Sequence, residues 1–262
     1  MTVFATAAAI LILLSVVVQA AWMFRRGSEE RASHWLLAGA AALLAVFVAL
    51  RSLAIGFPAL TGSFESLVFW AFALCACAVA YRLQRRLPFL AAVQFGITVA
   101  ALALLAIASS PIAPKEALAP IPALRSLWLV AHVALSFIGE SFFVAGFAAS
   151  LCLLLSRDND RRAEYDRVAY SAIAVGYPVF TAGALVFGAI WAEQAWGSWW
   201  SWDPKETWAL VTWLVYTLYL HLRLIRGKRG AAPAVVAVLG FLCALFTFFG
   251  VNYLLSGLHS YG

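Results

Sequence analysis

Eight apolar runs, each close to the length that a helix needs to cross a bilayer, constrain the fold of this chain of 262 residues most strongly. Only 11% of the residues are charged, whereas soluble domains carry about 25%, and the mean hydropathy is +0.91. This composition predicts an all-α, polytopic membrane protein of about eight transmembrane helices, with residues 1–262 forming a single integral membrane domain. The runs cover roughly residues 3–24, 35–55, 66–82, 88–108, 126–155, 168–191, 207–224 and 232–256.

Both termini are predicted to lie on the outer side of the membrane. No positive charge precedes the first run and Arg25 follows it, which is the wrong polarity for a cleaved signal peptide, so we interpret this run as a membrane helix. Fourteen of the 18 Lys and Arg residues lie in alternate breaks between the runs, which the positive-inside rule places in the cytoplasm. The net charge of +6 therefore needs no nucleic acid partner. The basic breaks contain Arg25, Arg26 and Arg31; Arg82, Arg85 and Arg86; Arg157, Arg161, Arg162 and Arg167; and Arg223, Arg226, Lys228 and Arg229.

The four cysteines do not form a recognisable metal or redox motif. Cys75, Cys77, Cys152 and Cys243 all lie within apolar runs, and none belongs to a Cys-x-x-Cys sequence. This placement favours small packing residues over a disulfide or a thiolate metal site, and we expect no non-haem metal. The chain also lacks Cys-x-x-Cys-His, so it is not itself a c-type cytochrome.

Tryptophan is concentrated in one predicted outer break. Seven of the 11 Trp residues lie between residues 191 and 213, which we call the Trp-rich segment. An aromatic belt at the membrane interface is the plain alternative, but a belt spreads Trp over many helix ends. A dense group of indoles suits a flat, apolar, polarizable ligand. The seven are Trp191, Trp196, Trp199, Trp200, Trp202, Trp208 and Trp213.

A helix start follows the Trp-rich segment. Asp203 fits the N-cap position, Pro204 the first helical position and Glu206 the third, which is a capping-box arrangement. We therefore expect a structural role for Asp203 and Glu206 first and a chemical role second. Lys205 either attracts a ligand carboxylate or faces water.

Two of the four histidines lie on the same predicted side as the Trp-rich segment. His132 lies near the outer end of the fifth run, and His259 lies just past the eighth. A single histidine at a helix end is usually interfacial, but two beside an indole-rich surface favour axial ligation of a haem iron. His221 lies about 21 Å along a helix from Thr207, near the inner side. His34 resembles an ordinary interfacial residue.

The sequence Trp191-Ala-Glu-Gln-Ala-Trp-Gly-Ser-Trp-Trp-Ser-Trp-Asp-Pro-Lys-Glu-Thr-Trp208 resembles the WWD domain of the cytochrome c assembly family. Its Asp-Pro-Lys-Glu-Thr ending resembles the CcsA/ResC branch, the haem-handling subunit of the system II cytochrome c synthetase. The tail Gly250-Val-Asn-Tyr-Leu-Leu-Ser-Gly-Leu-His-Ser-Tyr261 is similar to the C-terminal signature of that family. The segment Leu127-Trp-Leu-Val-Ala-His-Val133 resembles the region of its first outer histidine, and the resemblance extends from about residue 50 to the end.

The resemblance implies a role for each matched residue. His132 and His259 match the two outer histidines that ligate haem iron, and His221 matches a haem ligand within the membrane. The implied substrate is haem b, and the implied partners are a CcsB/ResB-like membrane subunit, apocytochrome c and the lipid bilayer. The implied location is the bacterial inner membrane with a periplasmic active face, or the thylakoid membrane if the chain is from a plastid. The implied haem platform comprises Trp191, Trp196, Trp199, Trp200, Trp202, Asp203 and Trp208.

Several charged residues have two alternative interpretations. Arg51, Arg125 and Lys205 are candidates to pair with haem propionates, or they only mark the outer interface. Glu140 lies eight residues after His132 and about 12 Å deeper in the same run, where a charge is costly. It is either functional or a protonated or paired packing residue. The first outer loop, 58–66, departs from the family by having Gly-Ser-Phe in place of Asn-x-Tyr, which leaves its direct role open.

Three functions remain in competition. The favoured one is export and presentation of haem, with its covalent attachment to Cys-x-x-Cys-His of apocytochrome c on the outer side, by a haem lyase subunit that requires a partner chain. The second is a haem-binding membrane regulator or chaperone without lyase activity. The third is a transporter or structural membrane protein in which the Trp residues form only a belt.

Overall fold

The computed structural model describes residues 2–23 and 31–255, and those residues form helices and connecting loops without any strand. Apolar runs become helices because every backbone N–H and C=O then finds a partner within the segment, as lipid requires. The helices are α1 (Thr2–Met23), α2 (Ala32–Ile55), α3 (Ser63–Leu83), α4 (Ala91–Ser109), α5 (Leu127–Leu155), α6 (Asn159–Phe180), α7 (Gly188–Trp196), α8 (Pro204–Leu224), α9 (Ala231–Leu245) and α10 (Val251–Leu254), with a 3₁₀ turn at Pro122–Leu124 and π-helical segments at Thr181–Phe187 and Phe246–Gly250.

The prediction of an all-α, polytopic membrane protein is confirmed. Among the described residues, seven helical stretches are long and apolar enough to cross a membrane. The remaining predicted span, 207–224, corresponds to α8, which has 21 residues but is more polar because Lys205, Glu206, His221 and Arg223 lie near its ends. Which side each terminus occupies stays a prediction from the basic breaks.

Residues 1–137 form one compact unit. In it, α1 packs on α2 and α4, and α3 packs on the same two helices. Buried polar side chains join these helices, since the Gln19 amide donates to the Thr98 hydroxyl at 3.0 Å. At the ends of α2 and α3, Arg51 forms a buried ion pair with Glu65 at 2.7 Å. Trp70 of α3 stacks on Phe137 at a ring separation of 5.1 Å.

Residues 138–262 form the second compact unit. Its core contains the stacked rings of Phe143 and Tyr216, whose centroids lie 3.7 Å apart and which are both fully buried. Glycines allow α5 and α6 to approach closely, because a Cβ at Gly139 would lie 2.7 Å from the backbone nitrogen of Phe180. A Cβ at Gly176 would lie 2.9 Å from the carbonyl oxygen of Gly139. Small residues at such contacts are typical of helices that associate in membranes.

Two π-helical segments interrupt the helices that pack on α8. The first continues α6, which contains Pro178 near its end. Proline lacks the N–H that an α-helix needs and its ring disturbs the preceding turn, so the regular hydrogen-bond pattern shifts here. The helix then resumes as α7 and leads directly into the Trp-rich segment. Such π-helical bulges occur often at functional sites.

Candidate functional site

A rigid turn between α7 and α8 carries the centre of the Trp-rich segment. Helix α7 ends at Gly197, whose left-handed conformation (φ 72°) and N–H bond to the Glu193 carbonyl at 2.9 Å close the last turn. Glycine suits this position because it has no Cβ to clash at positive φ. The Ser198 hydroxyl then donates to the Trp200 carbonyl at 3.0 Å. The indoles of residues 199–202 are therefore attached to an ordered backbone.

The predicted capping box at the start of α8 is confirmed. The Asp203 carboxylate accepts from the Lys205 N–H at 2.9 Å, and Glu206 accepts from the Asp203 N–H at 3.3 Å. Glu206 also accepts from the backbone N–H of Ser201 at 2.8 Å and from its hydroxyl at 3.1 Å. The Glu206 carboxylate thus holds both the start of α8 and the preceding loop. Its contact with Ser201 was not predicted from the sequence.

Trp202 has a strained backbone. Its φ of 59° is the only positive value among the described non-glycine residues. The left-handed region costs an ordinary L-residue roughly 1–2 kcal/mol. The surrounding hydrogen bonds hold it, including the Thr207 hydroxyl, which donates to the Trp202 carbonyl at 3.2 Å. Strain of this kind is found where the direction of a side chain matters.

The indoles of the Trp-rich segment fall into two groups. Trp199 and Trp202 are 58% and 68% exposed, and the ring of Trp202 meets that of Trp200 edge to face at 5.9 Å. Trp191, by contrast, is 1% exposed and meets Trp196 edge to face at 5.7 Å. The first group is available to a ligand, whereas Trp191 packs inside the protein.

The two Trp residues of α8 join the segment to both π-helical regions. Trp208 lies against Phe246 at a centroid separation of 4.3 Å. The Trp213 indole N–H donates to the Thr181 hydroxyl at 3.0 Å, and its ring stacks on Tyr177. Trp208 and Trp213 therefore each contact one of the two π-helical segments, where the helical hydrogen-bond pattern shifts. The sequence alone carried no signal for the second π segment.

Lys205 is directed towards other charged and polar groups of its unit. Its ammonium group donates to the Asn252 side chain at 2.9 Å and lies 5.7 Å from the Phe248 ring. Glu140, which is 5% exposed, attracts it electrostatically, although the two do not form an ion pair within 4.0 Å. One Glu140 carboxylate oxygen, Oε2, has no hydrogen-bond partner.

The outer cation candidates of the first unit differ in exposure. The Arg51 guanidinium donates to Glu65 at 2.8 Å and to the Lys115 and Glu116 carbonyls at 2.7 and 3.0 Å. It therefore ties the loop before the 3₁₀ turn to the ends of α2 and α3. Arg125, just after that turn, is exposed. The Arg51–Glu65 pair was missed from the sequence because Arg51 lies in the second predicted span and Glu65 in the loop that follows it, and the pairing depends on how α2 and α3 pack.

The histidines occupy different environments. His132 is half-buried on α5, and His221 is exposed on α8. His221 shares one exposed stripe with Leu214, Leu218 and Ile225, since residues four and seven apart lie on one helix face. His34 contacts Trp35 edge to face at 5.4 Å. His259 lies outside the described residues.

Comparisons with known proteins point to one family. A family model described as Cytochrome C assembly protein matches residues 61–259. A Prochlorococcus marinus protein named cytochrome c biogenesis protein CcsA is 33% identical over 97% of this chain and 90% of its own length. A Chlamydomonas reinhardtii protein of the same name is 42% identical over 59% of this chain and 46% of its own length. The solved structure of Cytochrome c Heme Lyase CcmF has a similar fold, with a TM-score of 0.71 and 16% identity over 95% of this chain and 46% of that chain.

Proposed function

This chain belongs to the CcsA branch of the cytochrome c assembly protein family, and from that premise we propose that it presents haem for attachment to apocytochrome c. In this proposal the chain exports haem b, holds it on the outer side of the bacterial inner membrane or of a thylakoid membrane, and exposes a vinyl edge to Cys-x-x-Cys-His. It acts as the haem-binding subunit of a lyase together with a CcsB/ResB-like chain.

The exposed indoles on a fixed turn carry this proposal. Trp199 and Trp202 present flat apolar faces to solvent, although burying such rings is strongly favourable. A capping box and a strained residue fix their direction. This arrangement suits a large, flat, apolar substrate better than it suits an interfacial belt, whose residues need no rigid turn. In this proposal the exposed residues of the platform contact the haem, and the buried residues hold the exposed ones in place. The platform comprises Trp191, Trp196, Trp199, Trp200, Trp202, Asp203 and Trp208.

His132 and His259 are the proposed axial ligands of the iron. Imidazole nitrogens are common haem ligands, and two of them would keep the iron six-coordinate and shielded from oxidants. The chemistry at the periphery needs no redox change, because a thiol S–H adds across the vinyl C=C to form one C–S and one C–H bond. The work of the protein is to bind and orient the two reactants. The histidine of the apocytochrome can then displace one ligand and allow release.

Propionate binding is assigned to the cation that stays accessible. Arg51 forms an ion pair with Glu65 and hydrogen bonds with two carbonyls. The Lys205 ammonium group donates a hydrogen bond to Asn252 and lies in the same unit as Glu140. Arg125 is exposed, so we propose that it faces a propionate. Arg51 and Lys205 then act by fixing the surrounding loops, and Glu140 balances the charge of Lys205.

A second haem position is proposed at His221. This histidine lies on an uncovered apolar stripe of α8, where a second protein chain can bury Leu214, Leu218 and Ile225. The polar imidazole on this stripe can bond to a partner helix inside the membrane, where polar side chains join helices. We propose that the CcsB/ResB-like subunit covers it and supplies the other iron ligand, and that haem passes from this inner position to the outer one.

The test is co-expression of the chain, its partner and an apocytochrome, with two readouts. The purified complex should show a low-spin bis-histidine haem spectrum, and the apocytochrome should carry covalent haem. His132→Ala or His259→Ala should lose the outer signature, and added imidazole should restore it by filling the vacant coordination position. His34→Ala, a histidine predicted at the opposite interface, is the control and should change neither readout.

The two readouts separate the candidate functions. A normal haem spectrum without covalent product would favour the regulator or chaperone. The absence of haem in the wild-type protein would exclude both haem-binding functions and favour the interpretation of the Trp residues as an aromatic belt. Unchanged bis-histidine spectra in both His132→Ala and His259→Ala would contradict the assignment of the ligands.

A further inference from the structure

A basic cavity lies within the second unit, where α6 begins and α8 ends. Its volume is about 650 Å³, within the roughly 300–1,000 Å³ typical of pockets that hold small molecules. Four guanidinium groups, one carboxylate and one phenol ring dominate its lining: Arg162, Arg167, Arg223, Arg229, Asp166 and Tyr170. We call it the Arg pocket.

The lining of the Arg pocket is strongly positive. Its one carboxylate, Asp166, is used by Arg223, whose Nη1 donates to both carboxylate oxygens at 2.7 Å, and by the Gly230 N–H at 2.9 Å. Four arginines against one aspartate leave a formal charge of +3. The buried Asp166–Arg223 pair fixes the floor, and the Arg223 guanidinium lies 5.0 Å from the Tyr170 ring. A preorganised group of arginines is a natural site for a phosphate, whose oxygens accept bidentate hydrogen bonds.

The position of the Arg pocket favours a lipid as the source of that phosphate. It opens at the end of membrane-spanning helices, and its lining includes the apolar side chain of Leu224, which is 62% exposed. A phospholipid can place its phosphate among the arginines and an acyl chain against Leu224. Basic pockets between transmembrane helices bind anionic headgroups in this way. We propose that the Arg pocket binds the phosphate of an anionic phospholipid.

This site is distinct from the proposed haem position at His221. Arg223 follows His221 by two residues, which rotates its side chain by about 200° around α8. His221 lies on the exposed stripe with Leu218, whereas Arg223 points to Asp166 and Tyr170. The phosphate position in the Arg pocket therefore lies on a different face of α8 from His221.

Native mass spectrometry of the purified full chain in detergent tests this proposal. Phosphatidylglycerol should bind the wild-type protein about tenfold or more tightly than phosphatidylcholine. The double variant Arg167→Gln/Arg229→Gln should lose that preference by a similar factor, because two phosphate-facing charges are removed. Both side chains are exposed and the Asp166–Arg223 pair is untouched, and the thermal unfolding midpoint measures any separate effect of the substitutions on the fold.

The matched control is Arg161→Gln/Arg226→Gln, which removes the same charge from the same helix ends outside the pocket lining. It should retain the preference for phosphatidylglycerol. Equal losses in the two double variants would overturn the site in favour of diffuse surface attraction. Displacement of phosphatidylglycerol by millimolar inorganic phosphate would contradict the proposal that the bound phosphate belongs to a lipid. Lower haem occupancy in Arg167→Gln/Arg229→Gln, with lipid binding intact, would assign the pocket to propionates and overturn it as well.

Discussion

Exposure divides the Trp residues into those that can meet a ligand and those that support the fold. Trp199 and Trp202 expose more than half of their surface, whereas Trp191 exposes 1%. The same substitution at these positions should therefore have different consequences. At the exposed positions the free energy of haem binding changes, and at the buried position the free energy of unfolding changes.

Trp199→Ala or Trp202→Ala should lower haem occupancy and leave the thermal unfolding midpoint unchanged. Each removes apolar contact with the substrate worth about 1–3 kcal/mol. Trp191→Ala should instead destabilise the fold by about 3–5 kcal/mol, because it opens a cavity in the core. Haem absorbance per folded protein and thermal unfolding measure the two effects.

The control for this prediction is Trp35→Ala, an exposed indole at the start of α2 outside the Trp-rich segment. It should change neither haem occupancy nor stability. If Trp35→Ala and Trp199→Ala reduce membrane insertion and haem occupancy alike, the belt interpretation is correct and the platform is not.

At the scale of elements, the start of α8 determines whether the platform is rigid. Asp203→Ala removes the acceptor of the Lys205 N–H and should cost about 1 kcal/mol, while Asp203→Asn keeps an acceptor and should be milder. Haem occupancy should fall more in the alanine variant than in the asparagine variant. Hydrogen exchange of residues 198–203 should rise in parallel, because the turn loses one of its attachments.

Asp158 offers a matched control for the cap. It is the N-cap of α6, where its carboxylate accepts from the Asp160 and Arg161 N–H groups at 3.0 and 3.4 Å. Asp158→Ala removes the same kind of cap far from the Trp-rich segment in sequence, and haem occupancy should be retained. A comparable loss of haem in Asp158→Ala and Asp203→Ala would mean that general helix stability, rather than the turn, controls binding.

The elements could largely be predicted because the length of an apolar run determines a membrane helix. The fifth predicted span, 126–155, corresponds to α5 at Leu127–Leu155. The sixth, 168–191, is longer in the structure, since the helix runs from Asn159 to Trp196 with its π segment. Its charged first turns escape a hydropathy criterion but are capped by Asp158. Pro178 indicates a disturbed helix at the first π segment, but the sequence carries no such signal for the second.

At the scale of the whole molecule, His221 links this chain to its proposed partner. His221→Ala in the co-expressed pair should abolish cytochrome assembly and lower haem in the outer site, although His132 and His259 remain. Haem would no longer be held on the inner side of the route. Haem spectra and covalent cytochrome yield measure both effects, and His34→Ala, the other inner histidine, is the control. Full outer occupancy with normal assembly would contradict the inner position.

The candidate site could be predicted only as far as local patterns reach. The Asp203 cap follows from four consecutive residues and is confirmed. The partners of Lys205 depend on tertiary packing, because Asn252 is 47 residues away and Glu140 belongs to another helix. The Trp residues were identified from their density, but which of them point outward depends on the turn after Gly197.

The backbone of Trp202 is a point of local frustration. Its φ of 59° is a conformation that glycine adopts freely and that a bulky residue resists. A sequence optimised for folding alone would place glycine here, so the indole opposes the conformational preference of its own backbone. The surrounding caps and hydroxyl bonds must therefore supply the stability that this residue gives up. Resistance to unfolding and the capacity to display a ring are in direct competition at this one position.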